Sequence, residues 1–141
     1  MKKKKILFLC TGNSCRSQIA EGIANKLLSK DIIIKSAGTE SHGLSQNAIK
    51  VMDDISIPIS HHKSKKINFE DLNSFDIVIT LCGDAKDRCP YFKSKTKHIH
   101  WNIEDPAVFA GTKKDIYIKY AEVRDDIFKK INNFKTKLRS I

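Results

Sequence analysis

The feature that most constrains the fold is a change of hydrophobic period near residue 10. Residues 6–9 form a short apolar run that leads directly into the polar segment 10–15. From Ser17 onward the apolar residues recur every three or four positions, which predicts a helix beginning near that residue. The helical positions are Ile19, Ala20, Ile23, Ala24, Leu27 and Leu28. A buried strand, a tight loop and a helix in this order predict a parallel-sheet unit.

Three later segments have the character of further strands. Residues 32–34 are three consecutive isoleucines, and residues 77–81 are a longer apolar run that ends beside Cys82. Residues 98–101 are a weaker fourth candidate. Short apolar runs bounded by polar residues are typical of strands buried on both faces of a parallel sheet. Ligands of such sheets bind at the carboxyl ends of the strands, where we expect Cys10 and Cys82 to be neighbours.

Two more helices complete the predicted architecture. Ser45 is a candidate N-cap of the second helix, which carries Ala48, Ile49 and Met52. The last helix has one apolar stripe, formed by Ile116, Tyr120, Val123, Ile127, Ile131, Phe134 and Leu138. Alternating strands and helices predict an α/β fold, with a four-stranded parallel sheet flanked by helices. No linker or repeat divides the chain, so we expect one domain over residues 1–141.

The chain is basic, with a formal net charge of +10 over 141 residues. This charge attracts anionic partners in general. The lysines at residues 2–5, 63–66 and 93–97 lack aromatic interleaving or a nucleic-acid module, so we expect a solvated basic surface and no nucleic acid. The apolar run after the first lysines is too short for a signal peptide or membrane span. We therefore expect a cytoplasmic protein with no membrane association, and a monomer.

The segment 10–17 has the spacing C-x5-R-S and combines groups that bind and attack a tetrahedral oxyanion. Its small, turn-tolerant residues let successive backbone N–H groups point inward, and the helix N-terminus adds positive charge. The predicted oxyanion cradle is Thr11, Gly12, Asn13, Ser14, Cys15 and Arg16. The Arg16 guanidinium can hold two oxygens in its planar fork. These positive surroundings favour the reactive thiolate of Cys10, to which Ser17 can donate its hydroxyl.

Four cysteines in a reducing compartment indicate catalysis or metal binding more than structural disulfides. Zinc is the competing interpretation. Cys10 and Cys15 have an allowed C-x4-C spacing, but six residues separate Cys82 from Cys89, which is outside the common short zinc spacing. The histidines form no H-E-x-x-H or similar motif, and we expect most of them to be solvent-facing or structural. They are His42, His61, His62, His98 and His100.

Five motifs together connect the chain to a known family. They are C-T-G-N-S-C-R-S at 10–17, S-A-G at 36–38, T-L-C-G-D at 80–84, C-P at Cys89 and D-P at Asp105. In this combination, over nearly the full chain, the sequence resembles the thioredoxin-coupled arsenate reductases. These enzymes share the fold of low-molecular-weight protein tyrosine phosphatases. The resemblance implies that fold and a role in arsenic detoxification.

The mechanism that the resemblance implies is a relay of three thiols. Cys10 forms a thiol–arsenate adduct, and Asp105 is the general acid that protonates the departing oxygen. Cys82 then attacks Cys10, arsenite leaves, and a disulfide joins the two cysteines. Cys89 attacks Cys82 in turn, and thioredoxin reduces the resulting disulfide. Electrons come from thioredoxin with no bound cofactor, and phosphate or sulfate are expected to compete with arsenate. Cys15 is left with a packing role.

One departure concerns a cation site. Some family members bind potassium through residues that match Asn13, Glu21 and Ser36, together with an aspartate. This chain has Lys65 at the corresponding place. We therefore predict little activation by potassium, or a Lys65 ammonium that replaces the ion opposite Glu21.

The second candidate function is a low-molecular-weight tyrosine phosphatase, because its loop chemistry is the same. Such phosphatases usually carry a tyrosine directly after the Asp-Pro pair, whereas this chain has Ala107. That difference and the additional cysteines favour a small inorganic oxyanion, with weak phosphatase activity on small aryl phosphates. A third candidate is a binding module without catalysis that uses only the basic surface.

Overall fold

Four parallel strands form the centre of the fold in the computed structural model, which describes residues 4–28, 30–88 and 95–138. The strands are β1 (Lys4–Cys10), β2 (Ile32–Gly38), β3 (Ile77–Thr80) and β4 (Lys97–His100). The helices are α1 (Arg16–Leu27), α2 (Gln46–Asp53), α3 (Gly83–Arg88) and α4 (Lys113–Leu138). Two short 3₁₀ helices cover Phe69–Ser74 and Pro106–Val108. The predicted α/β fold with four parallel strands is confirmed.

The strand order is β2-β1-β3-β4, so the first strand lies inside the sheet. Cys10 pairs with Gly38 of β2, and Leu9 pairs with Thr80 of β3. Beyond the ladder, the Leu81 N–H donates to the Leu9 carbonyl at 2.9 Å. Since all strands are parallel, their carboxyl ends meet at one edge of the sheet. The topology therefore brings Cys10 and Cys82 to the same edge, as predicted.

The core is built around β1, in which residues 6–10 are at most 2% exposed. On one face of the sheet the Trp101 ring lies 6.1 Å from Phe8 and 5.8 Å from Phe134, centroid to centroid. Phe134 belongs to the apolar stripe of α4, whose residues Ile127 and Ile131 are fully buried. Each such side chain stabilises the fold by about 1.5–3 kcal/mol relative to an exposed one. The predicted stripe therefore anchors α4 to the sheet.

Most local details of the fold agree with the sequence-based expectation. The Ser45 side chain accepts a hydrogen bond from the Ala48 N–H at 3.2 Å, which confirms it as the N-cap of α2. The polar segment after Cys82 is helical (α3), although six residues are too few to show a period.

Within the described ranges no helix is both long and apolar enough to cross a membrane. Cys89 lies outside the described residues.

Candidate active site

The loop between β1 and α1 turns its carbonyl groups outward. They accept backbone hydrogen bonds from the segment 39–45: Thr39 to Cys10, Glu40 to Thr11, His42 to Gly12 and Ser45 to Ser14, at 2.8–3.0 Å. No backbone N–H of residues 12–17 donates a hydrogen bond to another described residue. The N-cap residue of α1, Cys15, makes no side-chain capping bond. This arrangement leaves a row of amide donors at a helix N-terminus, the kind of site that binds an anion.

Asn13 holds the loop in shape from the inside. It is fully buried with a φ of 47°, in the left-handed region that Asn tolerates better than most residues. Its side-chain amide donates to Ser17 Oγ at 2.8 Å and to Ser36 Oγ at 3.0 Å. Its Oδ1 accepts from Gln18 Nε2 at 2.9 Å and from the Lys65 N–H at 2.7 Å. All polar atoms of its side chain are therefore satisfied, which fixes the loop before any ligand binds.

The Ser17 hydroxyl lies 2.7 Å from the sulfur of Cys10. Because the Asn13 amide donates into Ser17 Oγ, the hydroxyl proton of Ser17 is free to point at that sulfur. A hydrogen bond donated to a thiolate stabilises it as nucleophile and as leaving group. Cys10 is 2% exposed at the floor of the loop, so its sulfur has little contact with water.

Arg16 links the loop to the segment that carries Asp105. Its Nη1 donates to the Ile103 carbonyl at 3.0 Å, and its Nη2 lies 3.6 Å from Asp105 Oδ2. The other carboxylate oxygen of Asp105 accepts from the Ala107 N–H at 3.0 Å and so caps the short helix Pro106–Val108. The Asp105 carboxyl thus stands beside the Arg16 guanidinium and lines the same cavity as the loop.

The loop forms the floor of a cavity of about 430 Å³. Its lining is Cys10, Thr11, Gly12, Ser14, Cys15, Arg16, His42, Ser45, Asp105, Ala107 and Tyr120. Three of these residues, His42, Ser45 and Tyr120, were not expected at the site from the sequence. Tyr120 looks like one more core position in the stripe of α4, and burial raises the pKa of its hydroxyl. His42 packs its ring against Gly12, where even a methyl group would come within 2.5 Å of Nδ1.

The second thiol, Cys82, lies beside the loop. Its sulfur is 3.2 Å from Thr11 Oγ1, in the residue next to Cys10, and it accepts from the Ala85 N–H at 3.4 Å. Asp84, in the first turn of α3, accepts hydrogen bonds from the hydroxyls of Thr11 and Thr39, both at 3.3 Å. These contacts dock the N-terminus of α3 on the loop and place the Cys82 sulfur against the residue that follows Cys10.

Cys15 is buried at the wall of the same cavity. Burial raises the pKa of its thiol far above the ordinary value for cysteine. A thiol that stays protonated is neither a good nucleophile nor a metal ligand. This environment supports the packing role that was expected for Cys15.

The residues of the candidate cation site are bonded to one another. Ser36 Oγ donates to Glu21 Oε1 at 2.6 Å, and the His62 ring lies 3.5 Å from Glu21 Oε2. Burial lowers the pKa of His62 more than the neighbouring Glu21 carboxylate raises it. The Lys65 ammonium donates to the Lys63 carbonyl at 2.8 Å. The prediction that this ammonium lies opposite Glu21 is therefore wrong, because a nearer backbone acceptor binds it instead.

The remaining histidines have structural contacts, as expected. His98 Nε2 and His100 Nδ1 both lie within 2.9 Å of the buried Thr80 hydroxyl. The rings of His61 and His62 meet edge to face at 4.7 Å. Among the residues that the structure describes, no three His, Cys, Asp or Glu side chains are grouped so that they could hold a metal ion.

Comparison with known proteins agrees with this geometry. The family model for low molecular weight phosphotyrosine protein phosphatase matches residues 5–140. An arsenate reductase of Shouchella clausii is 48% identical over 134 residues, which cover 95% of this chain and 96% of that protein. A solved arsenate reductase in the phosphate binding state has a TM-score of 0.76 at 33% identity, over 95% of this chain and 98% of that one. A solved arsenate reductase in the oxidized state has a TM-score of 0.77 at 30% identity, over 97% and 98%. The chain therefore belongs to the low molecular weight phosphotyrosine protein phosphatase family, within its arsenate reductases.

Proposed function

We propose that this chain reduces arsenate to arsenite by a relay of Cys10, Cys82 and Cys89 that thioredoxin regenerates. The observation that carries the proposal is the position of Cys82, whose sulfur touches the residue next to Cys10. Hydrolysis of a phosphate ester requires one thiol and water. Reduction of arsenate requires two electrons, which two neighbouring thiols can supply as they form a disulfide.

In the first step the Cys10 thiolate attacks the arsenic atom of arsenate held by the loop amides and the Arg16 fork. A sulfur–arsenic bond forms, an arsenic–oxygen bond breaks, and the Asp105 carboxyl gives a proton to the departing oxygen so that it leaves as water. Arsenic is still pentavalent at this stage. The hydrogen bond from Ser17 holds the sulfur in line for attack.

In the second step the Cys82 thiolate attacks the sulfur of Cys10. A disulfide forms between the two cysteines, the sulfur–arsenic bond breaks, and its electron pair stays on arsenic, which leaves as trivalent arsenite. Cys89 then attacks Cys82, which releases the Cys10 thiolate and leaves a Cys82–Cys89 disulfide. The role of Cys89 rests on the sequence motif alone.

Thioredoxin is the proposed reductant because it exchanges dithiol for disulfide without a cofactor bound to its partner. The chain would act as a monomer in the cytosol, where thioredoxin keeps thiols reduced. The short α3, docked on the loop mainly through Asp84, is the segment that must rearrange to hand the disulfide outward.

Phosphatase activity is the second candidate function. The 430 Å³ cavity is larger than one tetrahedral oxyanion needs, and its floor has all the groups that attack a phosphate monoester. Where a phosphatase usually has an aromatic wall after the Asp-Pro pair, Ala107 offers only a methyl group. We therefore expect hydrolysis of small aryl phosphates to be a slow side reaction.

The proposed function is tested by following NADPH oxidation in a mixture of this chain, thioredoxin, thioredoxin reductase and arsenate. We expect many turnovers per chain, with arsenite appearing in equal amount to the NADPH consumed. Replacing arsenate by phosphate is the matched control and should give no oxidation. Hydrolysis of para-nitrophenyl phosphate at a higher kcat/KM than arsenate reduction would contradict the proposal and favour the phosphatase.

Asp105→Asn tests the general acid. An amide cannot give up a proton, so the single-turnover rate of arsenite release should fall by about 100- to 10,000-fold. Asn can still cap the helix at Pro106–Val108, and the oxyanion cradle is untouched. The inhibition constant for phosphate should therefore stay near its wild-type value. A rate within a few-fold of wild type would remove Asp105 from the mechanism.

Potassium should have little effect on turnover at constant ionic strength. The Glu21 carboxylate is already engaged by Ser36 and His62, and Lys65 brings a positive side chain where an aspartate is expected in potassium-binding relatives. Activity measured in potassium chloride should match activity in choline chloride. The variant Lys65→Asp is expected to gain stimulation by potassium. A large stimulation of the wild-type chain would contradict this prediction.

A further inference from the structure

A lysine of α4 contacts both flanks of the segment that carries Asp105. Lys119 Nζ lies 2.8 Å from Glu104 Oε2, in the residue directly before Asp105. The same nitrogen stands 5.5 Å from the ring centroid of Phe109, four residues after Asp105. The hydrogen bond with Glu104 raises the pKa of Lys119, which keeps the ammonium charged. One cation thus binds the segment on both sides of the proposed acid.

The segment has few other attachments. Pro106 is buried, but Val108 is 78% exposed and the Asp105 side chain is 39% exposed. The ion pair between Arg16 and Asp105 is long, at 3.6 Å. In the proposed function the guanidinium of Arg16 must also hold the oxyanion, so it is not a dedicated support for Asp105. Lys119 has no such second role. Among the described residues, its ammonium forms ion pairs with Glu104 and Glu122 and a cation–π contact with Phe109.

We propose that Lys119 is a positioning residue that fixes residues 104–109 and thereby holds the Asp105 carboxyl over the anion-binding loop. The inference deepens the proposed function, on which the acid role of Asp105 rests. The ion pair with Glu104 fixes the distance between the start of the segment and α4. The contact with Phe109 prevents the far end from swinging toward solvent.

The size of the effect follows from the exposure of the partners. Glu104 is 64% exposed, and exposed ion pairs and cation–π contacts each contribute modestly. Loss of both contacts should change the occupancy of the active position of Asp105 by about threefold to tenfold. Salt screens exposed charges, so the difference between wild type and variant should shrink at high ionic strength.

The direct test is hydrogen exchange of the Ala107 amide, measured by NMR. That N–H donates to Asp105 Oδ1, so its protection from exchange reports the position of the Asp105 carboxylate. The measurement needs no turnover. In Lys119→Met, which keeps the apolar stem and removes the charge, the exchange should be about threefold to tenfold faster. Lys119→Arg should restore protection. Unchanged exchange in Lys119→Met would overturn the inference.

Two matched variants control for a general effect on α4. Glu122→Gln removes the other carboxylate near Lys119, at 3.8 Å, but that residue lies on α4 and does not hold the segment. Lys130→Met removes an ion pair of the same kind, 2.9 Å from Asp126, that has no contact with the segment. Neither variant should change exchange at Ala107. A change in both equal to that of Lys119→Met would contradict a specific role of Lys119.

A second readout connects positioning to chemistry. A well-placed acid assists poor leaving groups more than good ones. With aryl phosphates, Lys119→Met should lower kcat/KM for phenyl phosphate about threefold to tenfold and leave 2,4-dinitrophenyl phosphate nearly unchanged. Suppose that Lys119→Met speeds exchange at Ala107 but lowers kcat/KM for the two aryl phosphates equally or not at all. Lys119 would then hold the segment, but Asp105 would not be the acid. That outcome would count against the proposed function and not against the contact.

Discussion

Replacing Cys10 by serine is expected to reduce both arsenate reduction and aryl phosphate hydrolysis to the uncatalysed background. The attacking atom must be anionic in the cradle, and a serine hydroxyl stays protonated where a thiol ionises. Both reactions begin with that sulfur, so no residual route remains for either. The proposed oxyanion cradle consists of backbone amides and Arg16, which this substitution leaves in place. Cys10→Ser should therefore still bind phosphate, which isothermal titration calorimetry measures.

Cys15→Ala is the matched control within the same loop. Cys15 is buried and its pKa is raised, so it supplies packing and no charge. The substitution should lower the free energy of unfolding, since it removes a buried sulfur, and leave single-turnover chemistry within about threefold of wild type. Retained turnover in Cys10→Ser, or complete loss in Cys15→Ala with a folded chain, would contradict the assignment of the nucleophile.

Replacing either of the other redox cysteines by serine should stop multiple turnover with thioredoxin. Without Cys82 the arsenate adduct on Cys10 has no second thiol to reduce it, so Cys82→Ser should release no arsenite. Without Cys89 the first disulfide still forms, so Cys89→Ser should release one arsenite per chain and then stop. Arsenite release counted against protein concentration distinguishes the two stages.

Hydrolysis of aryl phosphates is the internal control for these two variants. In the proposed mechanism it does not use Cys82 or Cys89, so Cys82→Ser and Cys89→Ser should keep wild-type phosphatase rates. Continued turnover of arsenate in Cys82→Ser would contradict the relay. Loss of phosphatase activity in the same variant would show instead that Cys82 supports the loop structurally.

The elements that sequence predicted well are those with a strong local hydrophobic pattern, either a continuous apolar run or a helical stripe. The runs at residues 6–9 and 77–81 and the stripe of α4 bury nearly all their apolar side chains, so burial and secondary structure agree. The position of the loop between β1 and α1 could also be predicted, because the hydrophobic period changes there. The location of Cys10 and Cys82 at the same sheet edge followed from the parallel sheet alone.

The contacts that sequence could not supply depend on tertiary position. Tyr120 has the spacing of a core residue, and only the placement of α4 brings it to the cavity wall. Lys119 is one of many lysines, and nothing local indicates that its ammonium reaches Glu104. The Lys65 prediction was wrong for the same reason, since a flexible side chain bonded the nearest carbonyl instead of the expected carboxylate. Long charged side chains reach several partners, and sequence cannot rank them.

The most direct test of the relay is to trap its first disulfide. Cys89→Ser, fully reduced and mixed with one equivalent of arsenate, is blocked with a thiol reagent, digested without reduction and analysed by mass spectrometry. A peptide pair joined through Cys10 and Cys82, in equal amount to the arsenite released, is the predicted result. Arsenite release with both cysteines found as blocked thiols, or a disulfide that involves Cys15, would contradict the relay.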